Sequence, residues 1–272
     1  MNPHATKAHS LILGLGFTVL CLAGLAEAQE PNKKEGEKLS LGRIQKKSYT
    51  FKEAGKDMEY ALFLPTTYKT GQKTPLMVAL HGLGSNPQQI LRYPGFTGLA
   101  EKHGYILVAP MGYNSRGWYG VKGPRSPKSD PENLGELSEK DVMNVLALVR
   151  KDFTIDEKRI YLMGHSMGGG GTWQLALKYP DIWAGLAPIA PAIFRKAAVL
   201  EKIKHIPVIL VQGDKDKLVP VAGIRRWADE MKKLNMNYEY IEVPGGGHVD
   251  VAFQNLPRIF EFFEKQKKRE KQ

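Results

Sequence analysis

Ser166 sits in Gly164-His165-Ser166-Met167-Gly168, a G-x-S-x-G pattern, and the two residue types that such a serine requires follow it in the chain. A serine hydroxyl is a weak nucleophile at neutral pH. It needs a base to take its proton, and the base needs a carboxylate to hold its tautomer. The order expected with this pattern is serine, acid, histidine. Gly213-Asp214-Lys215-Asp216 offers the acid and Gly247-His248 the base. Asp216 is preferred to Asp214 because it stands further into its loop, where its side chain can turn back toward a histidine, whereas Asp214 is placed to brace the turn. His4, His9, His81, His103, His165 and His205 all precede the acid, and His248 alone follows it. Asp250 is read as the cap of the last helix. The chemistry open to Ser166, His248 and Asp216 is acyl transfer through a covalent intermediate, which also needs backbone N–H donors for the developing oxyanion. Met167 supplies one, and Leu83, in His81-Gly82-Leu83-Gly84, the other.

These loops have to leave the same edge of one scaffold, and the apolar pattern predicts how. Tyr49 to Phe51 and Met58 to Leu64 read as opening antiparallel strands. Pro75 to Leu80, Tyr105 to Ala109, Arg159 to Met163, Ala184 to Ile189 and Pro207 to Val211 are continuous apolar runs of the kind buried on both faces, and Tyr238 to Val243 closes the series. Helices are expected near Phe96 to Lys102, Glu139 to Asp152, Gly169 to Lys178, Ile224 to Leu234 and Val251 to Lys265. Ser138 with Asp141 reads as the cap of the second of these. Such alternation predicts an α/β fold, a mostly parallel central sheet with helices on both faces and chemistry at the carboxyl ends of the strands. The short connection from Pro191 to Pro207 leaves no room for a large cap domain. The Gly/Pro-rich stretch from Met111 to Leu134 is long for a connection and is expected to be functional or mobile. Its Tyr113, Trp118 and Tyr119 could wall a substrate-binding pocket for an aryl acyl group, or anchor the loop to its own core. Both readings stay open.

With 272 residues, 42% of them hydrophobic and 25% charged, the chain can bury a full core without staples, which excludes disorder and miniature scaffolds. Its one cysteine, Cys21, excludes disulfides and cysteine zinc sites. The formal charge of +11 would attract anionic polymers at low salt. Much of the excess lies at the two ends, without the aromatic strands or base-reading helix of a nucleic-acid binder. No metal-ligand spacing, P-loop or dinucleotide fingerprint appears, so neither metal nor cofactor is expected. Lys7, the apolar stretch Leu11 to Ala26 and Ala26-Glu27-Ala28 read as a secretory signal cleaved after Ala28, leaving no stable membrane insertion and a secreted or periplasmic protein. A polar arm over residues 29–47, a catalytic domain over 48–265 and a basic tail over 266–272 follow.

Leu80-His81-Gly82-Leu83-Gly84, Gly164-His165-Ser166-Met167-Gly168, Gly213-x-x-Asp216-x-x-Val219-Pro220 and Gly247-His248, in that order, resemble the α/β-hydrolase superfamily over about residues 48 to 265. Within it, the leader, the short cap and the run Ser166 to Trp173 resemble carboxylesterases near the feruloyl esterase and polyhydroxybutyrate depolymerase group, also described as prolyl-oligopeptidase-like or dienelactone-hydrolase-like. The chain departs from the polyester depolymerases in lacking a cysteine beside the oxyanion glycine. The resemblance implies hydrolysis of a soluble or polysaccharide-linked ester, with a hydroxycinnamoyl or short-chain acyl group. A peptidase, a thioesterase and an acyltransferase would share the same three residues. A binding protein on this fold would normally have lost one of them. The pattern leaves the oligomeric state open.

Overall fold

Successive side chains of a strand leave opposite faces of a sheet, and the central strands use both faces for apolar packing. In the computed structural model, residues 39–121, 123–124 and 127–268 are described; the expected leader with Cys21, most of the polar arm and the end of the basic tail lie outside them. The strands are β1 (Ile44–Phe51), β2 (Lys56–Phe63), β3 (Thr74–Leu80), β4 (Ile106–Pro110), β5 (Ile155–His165), β6 (Gly185–Ile189), β7 (Val208–Gly213) and β8 (Tyr238–Val243). They form one sheet in the order β1-β2-β4-β3-β5-β6-β7-β8. The β1/β2 and β2/β4 pairs are antiparallel, and every other neighbouring pair is parallel. β3 is buried along its whole length, with Leu76, Val78 and Leu80 packing in one layer and Met77 and Ala79 in the other.

The first layer is covered by α3 (Leu134–Asp152), α4 (Met167–Lys178) and α5 (Val221–Lys233), through Val142, Val145, Leu146, Trp173, Leu175, Ile224 and Trp227. The second is covered by α1 (Pro87–Leu91), α2 (Phe96–His103), α6 (Val251–Gln254) and α7 (Leu256–Glu264), through Ile90, Phe96, Leu256, Phe260 and Phe263. This is the α/β architecture expected from the alternating pattern. Between β6 and β7 the only helical piece is the turn Ala197–Ile203, so no large cap stands there. Among the described residues no helix is long and apolar enough to cross a membrane.

The structure departs from the pattern in four places. β1 begins at Ile44, inside the stretch expected as a polar arm, because its register against β2 runs on to Phe63. α1 was not expected; Asn86 caps it, accepting from the Gln89 N–H at 3.0 Å. α3 starts at Leu134, a full turn before the expected cap, so Ser138 and Asp141 lie inside the helix and their side chains serve the loop before it. The final helix is broken at Asn255, where Pro257 in the first turn of α7 lacks the N–H that would continue α6.

Candidate active site

Because β3, β5, β6, β7 and β8 run parallel, the loops after Leu80, His165, Gly213 and Val243 emerge on one edge. Ser166 lies between β5 and α4 at φ 57° and ψ −114°, a conformation that side-chain-bearing residues seldom adopt. The flanking glycines make the turn possible. A Cβ on Gly164 would meet the Gly168 carbonyl oxygen at 2.2 Å, and one on Gly168 would meet the Leu80 oxygen at 2.0 Å. The Ser166 N–H donates to the Ile189 carbonyl (2.9 Å), and the Ser166 carbonyl accepts from Gly170 and Ala192 (3.0 Å each). Strand, turn and helix thus hold the serine side chain at the carboxyl edge of the sheet.

Asp216 and His248 meet across the loops that follow β7 and β8. The His248 Nδ1 stands 2.7 Å from the Asp216 Oδ2, and the Asp216 side chain has no exposed surface. The Gln212 amide donates to the same oxygen at 3.1 Å, while the Leu218 and Val219 N–H groups donate to Oδ1 at 2.8 and 2.9 Å. Burial alone would raise the Asp216 carboxyl. The Val219 N–H, the His248 ring and the Leu218 N–H outweigh it, and the group is held below the ordinary carboxylate value. Asp214 instead accepts from the Gly245 N–H at 2.7 Å, tying the two loops together. Asp250 precedes α6 but makes no capping bond to it; its carboxylate accepts from the Gly247 N–H at 3.0 Å and braces the loop of His248.

Among the described residues, the Ser166 hydroxyl makes no hydrogen bond. Its chain neighbour His165 makes the link to the histidine loop: its Nε2 lies 2.8 Å from the His248 carbonyl oxygen, and its ring centroid 4.9 Å from that of His248. The Tyr93 hydroxyl stands 2.8 Å from the His165 Nδ1. Burial holds the His165 imidazole down to about 4, so at neutral pH it is uncharged, donating through Nε2 and accepting from Tyr93. Neither His165, Tyr93 nor Gln212 carries a motif signal for this role. Only the fold brings them to the site.

The loop after β3 passes beside the serine, where a Cβ on Gly82 would stand 3.5 Å from that of Ser166. Among the described residues neither the Leu83 nor the Met167 N–H has an acceptor, and Met167 opens α4, where the positive end of the helix dipole lies. His81 is wholly buried between the Gly82 and Met111 carbonyls, each at 2.8 Å, which pins this loop to the one after β4.

The three aromatics of that second loop part company. Tyr119 is fully buried and has no surface to offer a ligand; its hydroxyl donates to the His81 carbonyl at 3.2 Å, supporting the loop of Leu83 from beneath. Tyr113 packs edge-on against Phe51, with the Lys56 ammonium 3.6 Å from its ring centre, on the β1/β2 side of the sheet. Trp118 lies 5.1 Å from Phe194 and lines a recess of about 30 Å³ with Trp173, Ile193 and Trp227. Of the three, Trp118 is the one placed in a recess. The loop itself is clamped by α3: the Ser138 hydroxyl accepts from the Tyr119 N–H (3.0 Å), and Asp141 accepts from the Gly112 N–H and the Tyr49 hydroxyl (2.6 Å each). No cluster of possible metal ligands occurs among the described residues.

The turn at Ser166, the buried Asp216–His248 contact and the two N–H groups without an acceptor among the described residues stand on one edge of an α/β-hydrolase fold, which the chain shares with the solved structures it resembles. The chain matches the Esterase family model over residues 52–260 and belongs to that family. It is 30% identical to S-formylglutathione hydrolase of Bos taurus over 146 residues, covering 49% of this chain and 51% of that one. To feruloyl esterase B of Neurospora crassa it is 29% identical over 136 residues, covering 48% and 44%. The matched segments span about half the length of these curated relatives or less. The ferulic acid esterase of Anaeromyces mucronatus, solved with ferulic acid, superposes with a TM-score of 0.66 at 18% identity, covering 87% of this chain and 95% of that one.

Proposed function

We propose that this protein is a serine carboxylic-ester hydrolase in which Ser166 attacks, His248 carries the proton and Asp216 orients and stabilises the protonated ring. The observation that carries the reading is the buried Asp216–His248 contact of 2.7 Å on the edge where Ser166 is held at φ 57°. The Ser166 oxygen forms a bond to the ester carbonyl carbon as its proton passes to the His248 Nε2. The oxyanion is received by the Leu83 and Met167 N–H groups. Collapse expels the alcohol, which takes the proton from His248. Water then repeats the sequence on the acyl-enzyme, releases the acid and restores Ser166. The Ser166 hydroxyl and the His248 ring come within bonding distance as substrate fills the site, since such contacts commonly tighten only in the loaded enzyme.

Relatives that hydrolyse feruloyl esters favour a soluble ester with a hydroxycinnamoyl or short-chain acyl group, free or linked to a polysaccharide. The formylglutathione hydrolase relatives add a thioester as the second reading. A panel of p-nitrophenyl acyl esters, methyl hydroxycinnamates, an acyl thioester and a peptidyl anilide, run beside Ser166→Ala, tests both. Ester or thioester turnover that Ser166→Ala lowers by at least about a thousandfold is expected. Turnover retained in Ser166→Ala would place the nucleophile elsewhere. The export reading of residues 1–28 predicts a mature N-terminus at Gln29, checked by mass spectrometry of the exported protein.

A further inference from the structure

Beside the proposed catalytic residues lies a cavity of about 520 Å³ whose walls come from the loop after β6, the end of the Asp216 loop and the start of α5. Pro191, Ile193, Val219, Pro220, Ile224 and Trp227 form its apolar surface. It adjoins the catalytic loops on two sides. Ala192, next to Pro191, donates its N–H to the Ser166 carbonyl at 3.0 Å, and Val219 donates its own to Asp216 at 2.9 Å.

Three cations also line this cavity: Arg195, Lys196 and Arg226. Several arginines elsewhere are neutralised, Arg116 by Asp130, Arg150 by Glu157, Arg159 by Glu264 and Arg258 by Glu239. Arg225, the chain neighbour of Arg226, is held by Glu242. Among the described residues, Arg195, Lys196 and Arg226 have no carboxylate partner. Among the described residues, the one side-chain hydrogen bond of these three runs from the Arg195 guanidinium to the Gln174 amide oxygen, at 2.8 Å. The single acid on the cavity wall, Glu230, faces Lys233 at 3.2 Å. An apolar recess rimmed by unpaired guanidinium groups matches a ligand with a ring or short chain and a carboxylate, because guanidinium binds carboxylate through paired, charge-assisted hydrogen bonds.

We infer that this cavity is a carboxylate subsite, and that the ester cleaved by this protein carries a second, free carboxylate on its acyl or its alcohol part. The inference rests on the proposed esterase reading and narrows its substrate class.

Two matched pairs of esters test it, each corrected for spontaneous hydrolysis: p-nitrophenyl hemisuccinate against p-nitrophenyl butyrate for the acyl side, and 4-acetoxybenzoate against its methyl ester for the alcohol side. At low salt, kcat/KM for the anionic member of at least one pair is expected to exceed that of its neutral partner by about tenfold. That ratio should fall toward one in Arg195→Gln/Arg226→Gln and shrink with added salt. Ratios at or below one in both pairs, or a preference that survives the double substitution, overturn the inference. Labelling of Ser166 by a fluorophosphonate, read by peptide mass, separates the two readings. A labelled Ser166 with no anionic preference removes only the subsite, whereas an unlabelled Ser166 removes the esterase mechanism. Binding of 4-hydroxybenzoate to Ser166→Ala, followed by calorimetry, reports on the subsite without turnover. Binding there that Arg195→Gln/Arg226→Gln weakens supports it, and absent or unaltered binding counts against it.

Discussion

Ser166 and His165 occupy adjacent positions and impose opposite demands. Ser166 is held at φ 57°, a conformation that costs a side-chain-bearing residue about 1–3 kcal/mol and glycine almost nothing. Ser166→Gly is therefore expected to be more stable than Ser166→Ala by about 1 kcal/mol in denaturant melts, with both inactive. His165 is buried and neutral, its imidazole held down to about 4 from the ordinary 6.5. Between these two values the unfolded chain binds a proton that the folded protein refuses, so stability rises with pH across this window and is lost as pH falls through it. The full loss is about 3 kcal/mol. Denaturant titrations from pH 7 to pH 4 should show it, and His165→Gln, which keeps a donor for the His248 carbonyl, should flatten the slope.

At the scale of elements, the sharp turn before α4 and the clamp that α3 places on the loop after β4 set the site. A Cβ at Gly168 would meet the Leu80 carbonyl at 2.0 Å, a backbone atom that cannot move without shifting β3. Gly168→Ala is expected to cost more than about 3 kcal/mol or to prevent folding, read by expression and thermal melting. Asp141 is buried in α3. Desolvation raises its carboxyl, only partly offset by Tyr49, Gly112 and Tyr113. Asp141→Ala would strand the Gly112 N–H and the Tyr49 hydroxyl. A loss of about 2–4 kcal/mol is expected, with faster proteolytic nicking between Met111 and Leu134. Unchanged proteolysis would show that the loop is held by other contacts.

The molecule as a whole closes through its last helix. Phe263 of α7 is fully buried and stacks on Tyr161 of β5 at 4.5 Å, and the Tyr161 hydroxyl donates to the Phe263 carbonyl at 2.9 Å. Residues some 100 positions apart are thereby joined on the face opposite α3, α4 and α5. Phe263→Ala is expected to lower the unfolding free energy by about 3–5 kcal/mol in urea, with a smaller effect on the KM of whatever enzyme is folded. A loss below about 1 kcal/mol would mean that α7 is peripheral to the cooperative unit.

The alternation of apolar runs with helical stretches determined the sheet and its two helical layers, because strand and helix periodicities are local properties of the chain. The residues proposed as serine, acid and histidine stand out in the sequence for a related reason: each follows a strand, two of them beside glycines. Local pattern misplaced the start of α3, since Ser138 and Asp141 resemble a cap in sequence whether they end a helix or project from its interior. Only the tertiary structure decided that Tyr119 lies beneath the loop of Leu83, that Gln212 braces Asp216, that Tyr93 reaches His165 across 72 residues and that His165 reaches the His248 loop across 83. The unpaired Arg195 and Arg226 belong with these, because a cation's lack of a partner depends on every acid that packing brings near it or keeps away.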